Sequence, residues 1–367
     1  MKKTIMLLLL IFASIFFFSV PVFAAEVKTN AEDIFPKEAG EMLLKNGFES
    51  LDIDTLTSLN VNDALKYIFN CVKNEITAPF LLIYAIFLII LITVIASGMN
   101  GGFLNTELQN NFSVIGVLCI CATTLAPIIT CLQETMSFIK QMSSFIQVFT
   151  PALTGVMVIG GQSTAGLGYQ SVMLAASEIL SSFLSGIIMP LLFIYLAFTI
   201  AGRATAWFNL ESVTASVKST VTWCLTLTMS LFVSLITIKG LIGAGADSLA
   251  LRTGKFFVGS FVPAVGGALS EAAATVQKSV VLIKNTTGIF GIIAAAMYFI
   301  PPLIKVLLYK FTCDISSMIG DVLGAKQIAG LIRDISTVLG LVSAVILSYG
   351  ALVILSTAVT LMLGNGG

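Results

Sequence analysis

The chain has 367 residues, of which 57% are hydrophobic and only 10% are charged. A soluble globular chain usually carries about 25% charged residues, so most of this sequence is expected to lie in a lipid bilayer. The formal net charge is zero and no basic stripe is present, which argues against nucleic-acid binding. The chain contains no histidine, which excludes Ser-His-Asp and Cys-His catalysis and histidine metal sites. We therefore predict a membrane protein that is not an enzyme and has no cofactor.

Residues 1–24 have the three-part pattern of a secretory signal peptide. Lys2 and Lys3 precede an apolar run from Ile5 to Val20, and small residues precede a cleavage point after Ala24. An uncleaved membrane anchor is the alternative. In both cases the next residues are expected to begin on the non-cytoplasmic side of the membrane.

Residues 25–75 are predicted to form an exported, acidic, helical segment. Residues 26–75 contain ten acidic and five basic residues. The second of two apolar helical stripes comprises Val61, Leu65, Ile68, Phe69 and Val72. The segment is too short for a large core of its own, so it is expected to lie on the membrane or to fold back on the membrane helices. A docking surface for a partner outside the cytoplasm is the alternative.

Residues 76–363 are predicted to form a polytopic membrane domain. Its fold class is all-α, because backbone polar groups in hydrocarbon must be paired within helices. About seven helices, with a range of six to eight, are expected to cross the membrane or to re-enter it. The candidate spans are 77–98, 112–133, 145–161, 171–201, 219–238, 286–304 and 335–363.

Two questions about these spans stay open at the level of sequence. Gly186 and Pro190 allow 171–201 to be one kinked helix or two half-helices. The positive-inside rule does not settle the topology, because basic residues fall on both sides of 286–304. We assign these residues to two consecutive loops, one with Lys239, Arg252, Lys255, Lys278 and Lys284, the other with Lys305, Lys310, Lys326 and Arg333.

Residues 239–285 are neither a clean span nor a polar loop. The apolar run from Phe256 to Val265 is too short to cross a bilayer, and Pro263 with Gly266-Gly267 would stop a helix. Such a run is typical of a re-entrant or interfacial segment. An amphipathic helix is predicted to follow from Leu269 onward.

Two charged residues are singled out next to apolar runs. Glu178 is the candidate intramembrane charge, because an ionisable group at the centre of a span costs about 2.5–3.5 kcal/mol and usually has a partner or a function. An interfacial or salt-bridged position and a pore or ion site are both open for it. Lys305 follows Pro301-Pro302 and is expected to extend to the membrane interface.

The run from Lys255 to Ala272 resembles the signature stretch of the stage III sporulation protein AE family. Its most specific part is Phe261-Val262-Pro263-Ala264-Val265-Gly266-Gly267. The overall layout of signal peptide, short exported segment and long apolar region is also similar to that family. The resemblance marks a candidate channel or assembly motif, which consists of Phe261, Val262, Pro263, Val265, Gly266 and Gly267.

The resemblance implies a function in endospore-forming bacteria. Members of the family reside in the mother-cell membrane that surrounds the forespore. They work with other stage III sporulation proteins in a trans-envelope channel complex that is similar to specialised secretion systems and is needed for forespore development. The implied partners, besides lipid, are an ATPase, ring-forming proteins, small membrane subunits and, indirectly, a forespore membrane protein. A self-sufficient permease for a small solute is the alternative, but the sequence shows no convincing internal repeat.

Overall fold

The computed structural model of the chain describes residues 61–98, 106–204, 212–234, 238 and 266–363. Side chains are described over 65–97, 112–203, 212–234, 238 and 283–361. These ranges contain helices and short turns and no strand, so the predicted all-α class is confirmed. The helices in chain order are α1 (Val61–Glu75), α2 (Thr77–Gly98), α3 (Thr106–Ile159), α4 (Ser163–Phe183), α5 (Met189–Ala204), α6 (212–234), α7 (Gly266–Val322) and α8 (Lys326–Leu363).

Among the described residues, five helical stretches are long and apolar enough to cross a membrane. The chain is therefore a multi-pass helical membrane protein. The five stretches are Thr77–Ser97, Phe112–Ile159, Ser163–Arg203, Ile283–Val322 and Lys326–Leu361. The exact number of crossings stays a prediction, and the signal peptide lies outside the described residues.

Several helices are much longer than a single span. The candidate spans 112–133 and 145–161 lie on one continuous helix, α3, which has 54 residues. Helix α7 has 57 residues and continues through Pro301 and Pro302. The assignment of Lys305 and Lys310 to a loop is therefore wrong, because both lie inside α7. At 1.5 Å per residue, α3 and α7 are about 80–85 Å long, against about 30 Å for the hydrocarbon core of a bilayer.

The break that Gly186 and Pro190 could introduce is accommodated by a local change of helix type. Helices α4 and α5 are joined by a π-helical turn, Leu184–Ile188, immediately before Pro190. The wider turn accommodates a residue that has no N–H to donate to the preceding turn. The candidate span 171–201 is therefore one continuous helical segment rather than two half-helices.

Two tight turns form helical hairpins. Gly161, with φ of 78°, lies in the turn between α3 and α4, and Gly324, with φ of 83°, lies in the turn between α7 and α8. Both residues adopt the left-handed backbone region, which glycine enters without steric cost. The turns are short enough that α3 packs along α4 and α7 packs along α8.

Contacts between the helices divide the bundle into two halves. One half, the α2 half, lies alongside α2: the hydroxyl of Thr312 donates to the carbonyl of Pro79, and Gly116 lies close to Thr93 and Ile328. The other half, the α1 half, lies alongside α1. The α2 half comprises 77–97, 112–133, 189–203, 306–322 and 326–344, and the α1 half comprises 135–159, 163–183, 283–304 and 346–361.

The α1 half has a close-packed core of its own. Gly291 faces the ring of Phe149, and Gly288 faces the side chain of Leu361. The Tyr349 hydroxyl donates to the carbonyl of Ser177 across the same core. Helices α3, α4, α7 and α8 thus remain in contact over a length greater than one span.

Candidate functional site: paired charges within the bundle

A cluster of three charges lies where the two halves meet, and we call it the junction cluster. The Nζ atom of Lys305 on α7 lies 2.6 Å from Oε1 of Glu134 on α3. The same Nζ lies 3.9 Å from Oε2 of Glu75, the last residue of α1. One cation therefore holds carboxylates from two other helices. Lys305 is part-buried, and its ammonium group is paired with these carboxylates.

Helix α1 docks onto the bundle beside this cluster. The hydroxyl of the buried Tyr67 donates to the carbonyl of Met297 on α7 at 2.8 Å. Pro301, four residues after Met297, has no N–H, so this carbonyl lacks its usual helical donor and Tyr67 supplies one. Cys71 is also buried, and desolvation raises the pKa of its thiol above the ordinary value. The fold-back expected for this segment is therefore what α1 adopts.

A second charged pair lies within the α2 half. Nζ of Lys310 lies 2.6 Å from Oδ2 of Asp314, one turn further along α7. The hydroxyl of Ser336 on α8 donates to the other carboxylate oxygen of Asp314. The Asp314 side chain is 41% exposed. The large apolar side chains of Phe311 and Met318 are exposed on the same helix, so a charged group here has the surroundings of an intramembrane site.

Polar contacts also close the end of the α2 half. The Arg203 guanidinium pairs with Asp334 at 2.9 Å, and Arg333 pairs with Asp321. The side-chain amide of Gln327 donates to the carbonyl of Arg203 and accepts from the hydroxyl of Ser113. These contacts join the ends of α3, α5, α7 and α8 at one level.

Lys284 lies at the opposite end of the bundle, in the α1 half. It is 1% exposed, and its Nζ donates to the side-chain carbonyl of Gln162 at 3.1 Å. No carboxylate pairs with it among the described residues. A buried lysine without a counter-ion is costly, so its position depends on the packing of α7 against the α3–α4 turn.

The predicted site residues fall into two groups. Glu178 is exposed on α4 and accepts a hydrogen bond from the side-chain amide of Gln147 at 3.4 Å. Gly266 and Gly267 are the first two residues of α7. Phe261, Val262, Pro263 and Val265 lie outside the described residues, as do the side chains of the predicted amphipathic stripe.

Sequence reasoning missed Glu134, Asp314 and Ser336. A signal for Asp314 was present, because Lys310 and Asp314 stand four residues apart, the spacing at which opposite charges pair on a helix. The assignment of Lys310 to a loop removed that interpretation. No comparable signal links Glu134 to Lys305, because they are far apart in sequence. Among the described residues, no group of three or more cysteine or carboxylate side chains is arranged to hold a metal ion.

Comparison with known proteins gives a match along most of the chain. The family model described as stage III sporulation protein AE matches residues 48–364. A curated relative, stage III sporulation protein AE of Bacillus subtilis (strain 168), is 23% identical over 308 residues. That alignment covers 84% of this chain and 77% of the relative. No solved structure matches.

Proposed function

Because this chain belongs to the stage III sporulation protein AE family, we propose that it is an integral membrane subunit of a trans-envelope channel complex that links mother cell and forespore. The observation that carries the proposal is the family match over nearly the whole membrane domain. The role is one of assembly and passage rather than catalysis, and it contributes to forespore development.

The proposed location is the mother-cell membrane that surrounds the forespore. The proposed partners are an ATPase, ring-forming proteins between the two membranes and small membrane subunits, with indirect contact to a forespore membrane protein. The half-exposed pair of Lys310 and Asp314 supports a subunit role. The two charges are paired with each other and with Ser336, and the exposed part of the pair is covered better by a polar group of a neighbouring subunit than by lipid.

The candidate motif in this proposal comprises Phe261, Val262, Pro263, Val265, Gly266 and Gly267. An apolar run that is too short to cross a bilayer and is interrupted by proline and glycine persists where protein or a water-filled cavity surrounds it, so the motif suits a channel wall or a subunit contact. Glu178, exposed on α4, is proposed as a charged group on the same assembly or channel surface.

The test is co-purification from sporulating cells of this chain with the ATPase and the ring-forming proteins. Pro263→Leu and Gly266→Leu are expected to abolish complex activity without preventing membrane insertion. Gly186→Leu is the matched control, because Gly186 is exposed and a Cβ atom added there meets no atom within 4 Å. Normal sporulation of both motif variants would contradict the proposed role of the motif.

The same preparation tests the subunit role itself. The isolated chain in liposomes is expected to move no solute, because the proposed passage requires the other subunits. Solute flux through the isolated chain would contradict the proposal and indicate a self-sufficient permease.

A further inference from the structure

We propose that lipid surrounds only the α2 half of the bundle, and that the α1 half projects out of the membrane on the non-cytoplasmic side. The hydrocarbon boundary then passes through the junction cluster of Glu75, Glu134 and Lys305. The division between lipid and water stands on the geometry, the side of projection rests on the predicted export of residues 25–75, and neither depends on the proposed function.

The first argument is length. Helix α8 has 38 residues, and α3 and α7 have 54 and 57 residues. At 1.5 Å per residue, even α8 is about 57 Å long, and a hydrocarbon core of about 30 Å covers roughly half of it. A tilt of ordinary size does not remove the excess. Part of the bundle must therefore lie outside the hydrocarbon.

Helix α2 indicates which half of the bundle lies in the hydrocarbon. It has 22 residues and is about 33 Å long, the length of one crossing. Only 17% of its apolar window is buried, and Phe80, Tyr84 and Ile92 are exposed on it. A helix this apolar with so large an outward surface is suited to lipid and not to water. It lies along the α2 half only.

Helix α1 indicates the opposite environment for the α1 half. It packs on α7 through Tyr67 and Met297, and its exposed face is mixed. The exposed side chains are Lys66, Asn70, Lys73 and Asn74 together with Leu65, Ile68 and Phe69. Charged and amide side chains exposed on one helix suit water or a headgroup layer better than hydrocarbon. Its last residue, Glu75, belongs to the junction cluster, and α2 begins two residues later. The change from a mixed exposed surface to an almost wholly apolar one thus coincides with the change from α1 to α2.

The exposed face of α3 changes at the same level. A run of exposed polar side chains begins next to Glu134, at Gln133, and continues along about 21 Å of the helix axis. Polar and charged groups facing hydrocarbon are costly, whereas at a headgroup boundary or in water they are not. The exposed side chains from the start of this run are Gln133, Ser137, Lys140, Gln141, Ser144 and Gln147.

The outward apolar side chains of the two halves also differ. In the described part of the α1 half no aromatic side chain is among the large exposed ones, which are Val148, Val158, Ile159, Leu167 and Ile179. In the α2 half the exposed set is larger and includes Phe80, Tyr84, Phe87, Phe198 and Phe311. The apolar residues of 145–161 and 286–304 that suggested spans mostly face the core of the α1 half. The predicted export of residues 25–75 fixes the side on which this half projects.

The test measures depth in the membrane with the full chain alone in lipid vesicles. Single cysteines labelled with bimane are placed at Val158 and Leu167 in the α1 half and at Ile92 and Leu118 in the α2 half. All four residues are large, apolar and exposed, so they form matched pairs. Nitroxides on the lipid tails are expected to quench Ile92 and Leu118, and aqueous iodide is expected to quench Val158 and Leu167. Tail quenching of Val158 and Leu167 equal to that of Ile92 would overturn the proposal.

A second measurement avoids replacing the native cysteines. Of the six cysteines, Cys119 is exposed in the α2 half, Cys224 is partly exposed, and Cys71, Cys121, Cys131 and Cys313 are buried. Leu167→Cys in the otherwise unchanged chain is expected to react with a charged, membrane-impermeant maleimide present on both sides of the vesicles, while Cys119 does not. Protection of Leu167→Cys equal to that of Cys119 would place both in lipid and overturn the proposal. Because no partner is present, the result does not depend on the channel complex.

Discussion

The α1 half and the α2 half are built from the same long helices, yet their outward surfaces differ. The α2 half exposes Phe80, Tyr84 and Phe311, whereas the exposed positions of the α1 half include Ser144 and Glu178. Both halves bury apolar residues against neighbouring helices. An apolar helix requires an apolar environment, which in the proposed arrangement is mainly lipid for the α2 half and mainly protein for the α1 half.

The junction cluster separates these two environments. Its three charges come from three different helices, α1, α3 and α7. Substitutions in the core of one half, at the junction and at the α1 contact should therefore have separable effects.

The largest effect is expected in the core of the α1 half. Gly291→Ala places a methyl group into the ring of Phe149, a stiff and buried neighbour, and is expected to lower the free energy of unfolding by about 3 kcal/mol. Thermal unfolding in mild detergent measures the loss. Trypsin cleavage after Lys284, which is buried in the intact chain, should report loosening of this half specifically.

Two variants serve as controls for Gly291→Ala. Gly155→Ala on α3 meets no atom within 4 Å and should be neutral or slightly stabilising, because alanine favours the helix over glycine. Phe149→Leu in the Gly291→Ala chain should recover part of the loss by making room for the methyl group. Equal unfolding temperatures for Gly155→Ala and Gly291→Ala would show that α3 and α7 are not in close contact at this level.

The junction should respond less strongly. Lys305→Met leaves Glu134 and Glu75 without their cation and is expected to cost about 2 kcal/mol, between the values for surface and fully buried pairs. Lys140→Met, at an exposed lysine outside the cluster, is the matched control and should change stability little. Thermal unfolding of Lys305→Met, Glu134→Gln, the double variant Lys305→Met/Glu134→Gln and the control measures the coupling. A loss in the double variant that equals the sum of the single losses would show that the pair is not energetically coupled.

The sequence predicted the fold class and the apolar runs well, since both follow from composition and hydropathy. It placed the helix ends poorly, because a charge interrupts a hydropathy window without interrupting a helix. Glu134 separates the candidate spans 112–133 and 145–161, yet its carboxylate is paired with Lys305 and α3 continues. The pairing partner is 171 residues away, so no local pattern contains it.

The loop predicted after the candidate span 286–304 was wrong for a similar reason. Pro301 and Pro302 lie near the end of the candidate span 286–304, where they remove backbone donors. The missing donor for Met297 is replaced by the hydroxyl of Tyr67 on α1, and α7 continues to Val322. A sequence pattern registers the lost hydrogen bond but not the distant group that replaces it. The motif from Phe261 to Gly267, by contrast, rests on family resemblance and not on the described contacts.

The smallest effect is expected where α1 meets the α1 half. Tyr67→Phe leaves the Met297 carbonyl without a donor and is expected to cost about 1 kcal/mol of unfolding free energy. Tyr84→Phe, at an exposed tyrosine on α2, is the matched control and should be close to neutral. A maleimide reaction at Cys71 gives the local measurement, because undocking of α1 exposes this thiol.

Whether the labelling rate of Cys71 rises or falls in Tyr67→Phe identifies the cause of the change. Burial raises the pKa of Cys71, so the thiolate fraction is small at neutral pH and alkylation should be slow, accelerating as the pH rises. The Tyr67 hydroxyl acts the other way and lowers the pKa of Cys71. Loss of the hydroxyl from a docked α1 would therefore slow the reaction, whereas undocking would remove the desolvation and speed it. Faster labelling in Tyr67→Phe than in Tyr84→Phe means that the hydrogen bond to Met297 holds α1 against the α1 half. Slower labelling means that apolar packing alone is sufficient to keep α1 docked.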